Sequence, residues 1–394
     1  MPFRASILLI VAMCVLASRA DGDDVTVADD AALRAALRSA EPGTTIRIAP
    51  GVYRGGIYFQ RSGTVDQPIV IEAADPADPP VFQGGGTAIQ LGGCSYVTLR
   101  NLRSRGQTAN GFNCDDAGRM DGSARGIVLE GLRVEDVGPR GNIDAIKLSG
   151  LTDFRVSDCV VEGWGGSGID MVGCHNGLIE RCTFRGKEGF SQSNGIQAKG
   201  GSADIRITAC DFIRAGQRAI NCGGSTGMAY FRPQDATWEA KAITIDNCRF
   251  VGAVAAVGFV GVDGATFTSN TIYHPEKWIF RILQETTADR FAPCRNVRIE
   301  RNLIVFRSAD VRTHINIGPN TAPQTFIFSR NWWYCDDAPA QSRPTLPTRE
   351  TDGIVGRDPG IALDESGLPV IPSDAPAAGY GAARAGDRTT ETRR

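Results

Sequence analysis

The sequence predicts an all-β protein, built as a single-stranded, right-handed parallel β-helix with a capping helix at its N-terminal end. A β-rich unit recurs along most of the 394 residues at steps of 22 to 38 residues, the period range of solenoid proteins. Within each unit, apolar residues alternate with a period of two, which is typical of strands and not of helices. One short helical segment precedes the first repeat, where a solenoid needs a cap.

The cap is predicted from the segment that follows position 28. Asp29 and Asp30 precede the helix-forming run AALRAALRSA, and aspartate is favoured at a helix start. Pro42 and Gly43 end this helix. The first predicted strands then follow in TIRIAPGVYRGGIYF and PIVIEA.

A column of small residues is predicted at one corner of the coils. Parallel strands stack about 4.8 Å apart, so equivalent residues of successive repeats would lie above one another. Asparagines in such a column hydrogen-bond along the axis, and cysteines pack as small buried hydrophobes. We therefore interpret these cysteines as packing residues, while Cys94–Cys114 and Cys294–Cys335 remain open as disulfide bridges of an exported protein. The column comprises Asn101, Gly131, Cys159, Cys182, Cys210, Cys248, Asn270, Asn302 and Asn331.

Another strand of each repeat reads IDAIKLSG, GSGIDMVG, SNGIQAKG and QRAINCGG. Its isoleucines, one per repeat, would stack inward as a core column, and the residue directly after each isoleucine would point outward. The inward column is Ile146, Ile169, Ile196 and Ile220. A first outward column is Lys147, Asp170, Gln197 and Asn221, and a second, near the preceding corner, is Asp144, Ser167, Asn194 and Arg218.

The first 20 residues, MPFRASILLIVAMCVLASRA, are typical of a secretory signal peptide. We expect the β-helix domain to span residues 21–382 and the polar residues 383–394 to be disordered. The protein would then be secreted or periplasmic, without a membrane span. A formal net charge of −2 gives no support to a nucleic-acid partner. We expect the protein to be a monomer.

The run ALRAALRSAEPGTTIRIAPGVYRGGIYFQRSGTVDQPIVIEA resembles the start of the right-handed β-helix polysaccharide lyases of the alginate lyase and chondroitinase B type. Those lyases place a capping helix before the patterns PG-TI-I-GVY and GT---PI-I-A. Hydrolases, epimerases and binding proteins share the architecture, so the resemblance indicates the fold more strongly than the reaction.

The strand Gly195-Ile196-Gln197-Ala198-Lys199 is similar to the strand that carries the catalytic lysine in these lyases and in a pectate lyase family of the same fold. The resemblance implies that Lys199 is the Brønsted base that removes the proton beside a uronic acid carboxylate. Those families usually bind calcium with acidic residues around the lysine, whereas this chain has Ser193, Asn194 and Gln197 there. No metal ligands are therefore predicted, and calcium is the one cofactor that the resemblance leaves open.

Arg218 is the predicted partner of the substrate carboxylate, since positive charge there stabilises the transition state of β-elimination. Lysine is rare in this chain, with five lysines against 37 arginines, which favours a special role for Lys199. The alternatives are that Lys147 and Asp170 form an ordinary cross-strand ion pair and that Lys199 is a solvated strand end. The predicted sugar contacts from these columns are Asp170, Asn194, Gln197 and Asn221.

Two later segments add candidates. GGSTGMAYFRPQDATWEAKA lengthens one repeat, and we interpret it as a substrate loop with Tyr230 to stack on a sugar and Arg232 to hold a carboxylate or sulfate. The alternative is a loop that packs its own aromatic side chains. YHPEKWIFRILQET contributes His274 and Arg281 as substrate contacts, and His274 and His314 are alternative acids or bases.

The sequence therefore predicts an exported polysaccharide lyase that cleaves an anionic polysaccharide, a uronic acid-containing glycan, by β-elimination. The alternatives are a non-catalytic carbohydrate-binding or cell-surface β-helix, and a glycoside hydrolase or epimerase on the same fold. A hydrolase would need a carboxylate pair from stacked coils, for which Asp144 and Asp170 are the candidates.

Overall fold

A computed structural model describes residues 24–382 of the chain. The predicted signal peptide, residues 1–20, and the predicted disordered tail, residues 383–394, lie outside the described residues. Three long sheets of parallel strands run through the described part, and each coil of the chain adds one strand to each sheet in turn. The predicted all-β solenoid is confirmed.

Sheet 1 has 12 strands: Asp24–Val27, Thr45–Ile48, Ile69–Ala73, Val97–Arg100, Val128–Glu130, Thr152–Ser157, His175–Glu180, Ser202–Thr208, Ala240–Asp246, Val262–Thr268, Arg295–Glu300 and Ile327–Ser329. Sheet 2 also has 12: Val52–Arg54, Val81–Gln83, Arg103–Arg105, Arg133–Val137, Val160–Trp164, Thr183–Arg185, Asp211–Ile213, Arg249–Val251, Thr271–Tyr273, Leu303–Phe306, Trp332–Cys335 and Ile354–Val355. Sheet 3 has 10: Ile57–Phe59, Ile89–Gly92, Phe112–Asp115, Ile146–Ser149, Ser167–Val172, Asn194–Lys199, Arg218–Gly223, Ala255–Val260, Trp278–Leu283 and Ile315–Ile317.

The remaining elements are short. The described residues contain one α-helix, Asp30–Ser39, and a two-stranded antiparallel hairpin of Ala362–Leu363 and Pro369–Val370. Three 3-10 helices lie in the connections, at Met228–Tyr230, Pro323–Thr325 and Pro339–Gln341. No helix within residues 24–382 is long and apolar enough to cross a membrane.

The core is a stack of aligned apolar columns. The four isoleucines predicted to stack are direct register partners on sheet 3 and are buried. Across the core, sheet 2 contributes Phe184, Phe212 and Phe250, whose ring centroids are 5.1 and 4.9 Å apart. Burial of such columns from both sides supplies the main stabilisation of the coils.

The predicted corner column lies between sheets 1 and 2, and its asparagines form a hydrogen-bonded ladder. The side-chain oxygen of Asn302 accepts from the backbone N–H of Asn270 at 2.9 Å, and Asn331 accepts from the backbone of Asn302 at 3.0 Å. Glu350 accepts from the backbone N–H of Asn331 at 2.9 Å and so ends the ladder. All these asparagines are fully buried.

The predicted column is wrong by one residue in its first two coils. The strand register places Leu102 and Leu132 in the buried column, one position after Asn101 and Gly131. The earlier position has positive φ, 54° at Asn101 and 63° at Gly131. Asparagine and glycine tolerate this left-handed conformation, so small residues mark the turn there and not the core.

The cap forms as predicted. Asp29 is the N-cap residue, and its side chain accepts from the backbone N–H of Ala32 at 2.8 Å. Leu33, Ala36 and Leu37 are buried and cover the end of the core.

The ten cysteines of the described residues are all buried and free. The packing interpretation of the corner cysteines is therefore confirmed, and the two disulfide bridges that the sequence left open are not formed.

Candidate functional site on sheet 3

The outward face of sheet 3 carries one polar residue from nearly every coil. The register pairs each member of the predicted outward column directly with the next and extends the column in both directions. We call this set the polar column: Tyr58, Gln90, Asn113, Lys147, Asp170, Gln197, Asn221, Gly258, Arg281 and Asn316. Because coils stack about 4.8 Å apart, it forms a continuous polar strip along the axis of the solenoid.

Four charged side chains meet in the middle of this strip. Lys147 Nζ lies 3.2 Å from an oxygen of Asp144 and bonds Oδ2 of Asp170, so one ammonium group joins two carboxylates. Lys199 Nζ approaches the other oxygen of Asp170, Oδ1, at 3.6 Å. The cross-strand ion pair of Lys147 and Asp170 therefore forms, but Asp170 is 0% exposed and the pair does not lie on a solvated face. Lys199 is 15% exposed, so it is not a solvated strand end.

The surroundings of this cluster raise the pKa of both Asp144 and Lys147. Burial and then the negative charge of Asp170 raise the pKa of Asp144. Burial alone lowers the pKa of a lysine, but the adjacent carboxylates of Asp170 and Asp144 outweigh it and raise the pKa of Lys147. Lys147 is therefore held as a cation between two acidic groups.

The amide side chains beside Lys199 are fixed by hydrogen bonds to one another and to one carbonyl. Asn194 donates to the side-chain oxygen of Gln197 at 3.2 Å. Gln197 and Asn221 both donate to the backbone carbonyl of Gly223, at 3.0 and 3.2 Å. The sequence groups these three residues with Lys199, and the structure places them together.

Arg218 starts its strand at the corner, and its side chain reaches the polar column by running along the strand. A Cβ atom built on Gly258 would lie 2.9 Å from Arg218 Cδ and 2.7 Å from Asn221 Oδ1. The guanidinium therefore lies across a position that has no side chain. It bonds Glu285, with 3.1 Å between Nη2 and Oε1.

Arg281 follows Gly258 in the polar column. Its Nε donates to Asn316 at 3.0 Å, and its guanidinium lies over the Trp278 ring at 4.4 Å. Burial and then the nearby positive charge of Arg218 lower the pKa of Arg281. The strip thus has two carboxylates and Lys147 on one side of Lys199 and two arginines on the other.

Three buried polar atoms of this strip lack a hydrogen-bond partner: Asp170 Oδ1, Asn221 Oδ1 and Arg218 Nε. Native proteins satisfy almost all such atoms, so each unpaired one needs an explanation. Two of the atoms are acceptors and one is a donor. A bound molecule that offers both hydroxyl groups and an anionic oxygen would satisfy all three.

The long insertion folds over the corner that follows Lys199. Arg232 forms two hydrogen bonds to the buried carboxylate of Asp116, at 2.7 and 2.9 Å, and its side chain is 12% exposed. Phe231 is buried against Phe291, whereas Tyr230 is 61% exposed. The loop therefore packs one of its aromatic residues and leaves the other in solvent, and Arg232 does not face the polar column.

The two histidine candidates lie in separate surroundings. His274 follows a sheet 2 strand, and its Nε2 lies 2.5 Å from a carboxylate oxygen of Asp336. His314 Nδ1 accepts from the backbone N–H of Thr345 at 3.2 Å, and burial lowers the pKa of His314. The structure does not bring either ring into the cluster around Lys199 among the described residues.

The residues around Lys199 do not fit calcium. The ammonium group of Lys147 lies between the two carboxylates of the cluster, where a cation would be repelled. Within residues 24–382, no group of three or more His, Cys, Asp or Glu side chains is placed to hold a metal ion.

Sequence reasoning missed three parts of this site. It placed Lys147 beside Asp170 but not in contact with Asp144, which lies three residues earlier, just before the strand begins. It also gave no role to Gly258 or Glu285. The alternation of the strands would have identified Gly258 as the one member of the strip without a side chain.

The sequence model described as "Right handed beta helix region" matches residues 51–232. Among solved structures, PfbA, a surface adhesin of Streptococcus pneumoniae, superposes with a TM-score of 0.53 at 9% identity, covering 77% of this chain and 80% of that chain. A rhamnogalacturonan lyase gives 0.50 at 13% identity, covering 83% and 90%. An alginate lyase from Paenibacillus sp. str. FPU-7 gives 0.43 at 18% identity, covering 76% and 96%. No curated protein matches the sequence.

The chain is therefore a right-handed parallel β-helix, the fold that polysaccharide lyases use, and the resemblance noted from the sequence is confirmed at this level. At these identities the likeness establishes the fold and not the reaction. An adhesin and a lyase share this architecture, so the fold alone does not identify the function of this chain.

Proposed function

We propose that this protein is a polysaccharide lyase that cleaves an anionic, uronic acid-containing glycan on the outward face of sheet 3. The observation that carries the proposal is the set of three buried polar atoms without a hydrogen-bond partner on the face of sheet 3 that also carries Lys199. A uronic acid residue has a carboxylate for Arg218 Nε and hydroxyl groups for the oxygens of Asn221 and Asp170. An elongated strip also suits a polymer better than a small molecule.

Lys199 is the proposed base and Arg218 the proposed carboxylate partner. Asn221 lies one coil on from Lys199 and two residues back along the strand, which is about 8 Å between Cα atoms. The Arg218 side chain lies across Gly258, one coil beyond Asn221, and its guanidinium bonds Glu285. The proposed reaction requires this guanidinium to leave Glu285 for the carboxylate of the sugar ring that Lys199 contacts.

The reaction breaks two bonds and forms one double bond. The amine of Lys199 takes the proton from the carbon next to the carboxylate, and the electron pair of that C–H bond forms the new C=C bond. The glycosidic C–O bond breaks, and the leaving oxygen takes up a proton from solvent. Arg218 stabilises the negative charge that collects on the carboxylate in the transition state.

A screen of uronic acid polysaccharides with the purified protein tests the proposal. The panel contains alginate, pectate, and chondroitin and dermatan sulfates, and the readout is the ultraviolet absorbance of the unsaturated product. Loss of a general base reduces the rate by about 10²- to 10⁴-fold, so Lys199→Ala should abolish the signal. Lys187→Ala is the matched control, since Lys187 pairs with Asp136 outside the strip.

A glycoside hydrolase is the second candidate, because Asp144 and Asp170 are buried carboxylates joined through one lysine. It would release new reducing ends without ultraviolet absorbance, and Asp144→Asn would stop it. The contact of Lys147 with both carboxylates favours the lyase, since it occupies the position that a water or glycosidic oxygen would need. Glycan binding without either product would assign the strip to a binding protein.

The proposal includes export of a monomer, since a polysaccharide substrate is met outside the cytoplasm. Sequencing the N-terminus of the secreted protein should give a start near Asp21. A mature protein that begins at Met1 would contradict the export.

A further inference from the structure

Two lysines share one buried carboxylate in the strip. Asp170 bonds Lys147 through Oδ2 and faces Lys199 through Oδ1, 3.6 Å from Nζ. Asp144 also contacts Lys147, at 3.2 Å, and is held by the backbone N–H of Ser167 at 2.7 Å. The cluster therefore contains two carboxylates and two amines, and Lys199 is the amine that ends its strand and faces the Asp170 oxygen without a hydrogen-bond partner.

We propose that Lys147 is a positioning residue that acts as the fixed counter-cation of Asp170, and that this leaves Lys199 free to give up its proton. The inference rests on the proposed function, in which Lys199 is the base. Its chemical basis is that an amine removes a proton only in its neutral form, whereas an adjacent carboxylate favours the charged form. Lys147 supplies the positive charge that Asp170 needs and holds its Oδ2 away from Lys199.

The contrast between the contacts of the two lysines supports this division of roles. Lys147 contacts both carboxylates, and its side chain is 18% exposed. Lys199 contacts only Asp170, at a distance longer than a hydrogen bond. The same ammonium explains why the site does not fit a metal ion, because Lys147 already occupies the space between the two carboxylates.

Other charged groups lie behind the strand end, but they are engaged elsewhere. Glu239 accepts from the backbone N–H of Gly200 at 2.9 Å and from Thr226. Arg232 and Asp116 neutralise each other in their buried ion pair. Asp170 is therefore the charged group that the Lys199 ammonium faces, and Lys147 is the group that controls it.

The proton on Lys199 can be followed directly by NMR because the sequence has only five lysines. We would titrate protein with ¹³C-labelled lysine and assign each signal by a Lys→Arg substitution. Removing the positive charge in Lys147→Met should make Lys199 release its proton at a pH higher by about one unit or more. Lys147→Arg keeps the charge and should restore the wild-type titration, and Lys187→Met should leave it unchanged.

The same variants then test catalysis. The acidic limb of the kcat/KM profile should move to higher pH in Lys147→Met by the shift seen in the titration, with thermal melting used to confirm the fold. If Lys147→Met does not fold, Asp170→Asn replaces it, and Lys199 should then release its proton at a lower pH than in the wild type.

An unchanged Lys199 titration in Lys147→Met, or a change that Lys147→Arg does not reverse, would overturn the inference. The titration needs no substrate. If the wild type forms no unsaturated product from any uronan but the titration shifts as expected, the proposed function fails. The inferred effect of Lys147 on the protonation of Lys199 would still stand.

Discussion

At the scale of single residues, the site depends on Gly258, the one position of the polar column that has no side chain. Gly258 has a backbone conformation open to any residue, so its glycine is not required by the turn of the chain. The missing side chain leaves space that the Arg218 side chain occupies on its way to Glu285. The unpaired atoms of Arg218 and Asn221 lie at this gap.

Gly258→Ala should therefore reduce activity on the glycan by about tenfold to a hundredfold, since misplacing one charge-stabilising donor costs up to 10²–10³ in kcat. The added Cβ would lie 2.9 Å from Arg218 Cδ and must displace it. The loss should appear in kcat as well as KM, with an unchanged melting temperature.

Gly86→Ala is the matched control for this substitution. A Cβ at Gly86 would meet only the Cβ of Ala109, at the ordinary distance of 3.7 Å. If the wild type and Gly258→Ala were equally active, neither Gly258 nor the position of the Arg218 side chain would contribute to the site.

At the scale of elements, the corner between sheets 1 and 2 changes its chemistry along the axis. Leucines occupy its first coils, cysteines the middle and asparagines the last. The cysteines fill space and make only long sulfur hydrogen bonds to neighbouring coils, such as Cys182 Sγ to the Val156 carbonyl at 3.8 Å, whereas each asparagine satisfies backbone groups at ordinary distances. Asn302, for example, donates to the carbonyl of Phe267 at 3.0 Å and accepts from Asn270.

Asn302→Ala should consequently destabilise the protein more than Cys182→Ala at the equivalent corner. The first leaves buried backbone groups without partners, at about 1–3 kcal/mol for each such group. The second removes only a small buried sulfur, and we expect about 1 kcal/mol by analogy with the loss of a buried methyl-sized group. Urea unfolding of both variants measures the difference, and equal losses would show that the ladder contributes packing alone.

The insertion after Gly223 is tied to the coils by a buried ion pair. Burial by itself raises the pKa of Asp116, but its bonds from Arg232 and two backbone N–H groups hold that pKa below its usual range. A lowered pKa in the folded state stabilises the protein above the unfolded value near 3.9, and this contribution is lost as the pH falls through the folded value.

Arg232→Met should thus cost about 3 kcal/mol at neutral pH, because it leaves Asp116 buried and unpaired. The gap between its melting temperature and that of the wild type should narrow below about pH 4, where Asp116 takes up a proton. Arg206→Met, which breaks an exposed pair with Asp246, should cost less than about 1 kcal/mol. A gap for Arg232→Met that stays constant down to pH 3 would contradict the assignment.

The repeat pattern was sufficient to predict the coils but not the contacts across them. Alternation and spacing identified the isoleucine column and the polar strip, since a strand's period of two leaves little freedom. The prediction of the corner column was wrong at Asn101 and Gly131, because a small residue fits both a left-handed turn and a narrow core position. The path of Arg218 could not be predicted, because it depends on a glycine 40 residues further along the chain.

At the scale of the whole molecule, the cysteines are unexpected in a chain with a predicted export signal. All ten described cysteines are buried and free. Burial raises the pKa of the Cys94, Cys174 and Cys294 thiols to about 12, so these three form little reactive thiolate at neutral pH. The coils are therefore stabilised by packing and register and not by covalent links.

Dithiothreitol should accordingly leave the melting temperature unchanged. A thiol reagent should label few cysteines in the native protein and ten in residues 24–382 once the chain is unfolded, as measured by mass spectrometry of proteolytic peptides. Fewer than ten labelled cysteines without reductant, with the missing ones restored by dithiothreitol, would reveal a disulfide.

The asparagine ladder also restricts which kind of coil can follow which along the solenoid. Each asparagine coil needs an acceptor in the coil that follows it, and the series closes only where Glu350 provides one. The cysteine coils make the same demand more weakly, since the backbone N–H of Cys210 donates to Cys248 Sγ at 3.5 Å. Gene duplications that lengthen this protein would therefore be tolerated most readily among the cysteine coils, next to the strip of sheet 3, so the solenoid could gain length for a longer glycan without disturbing its closed end.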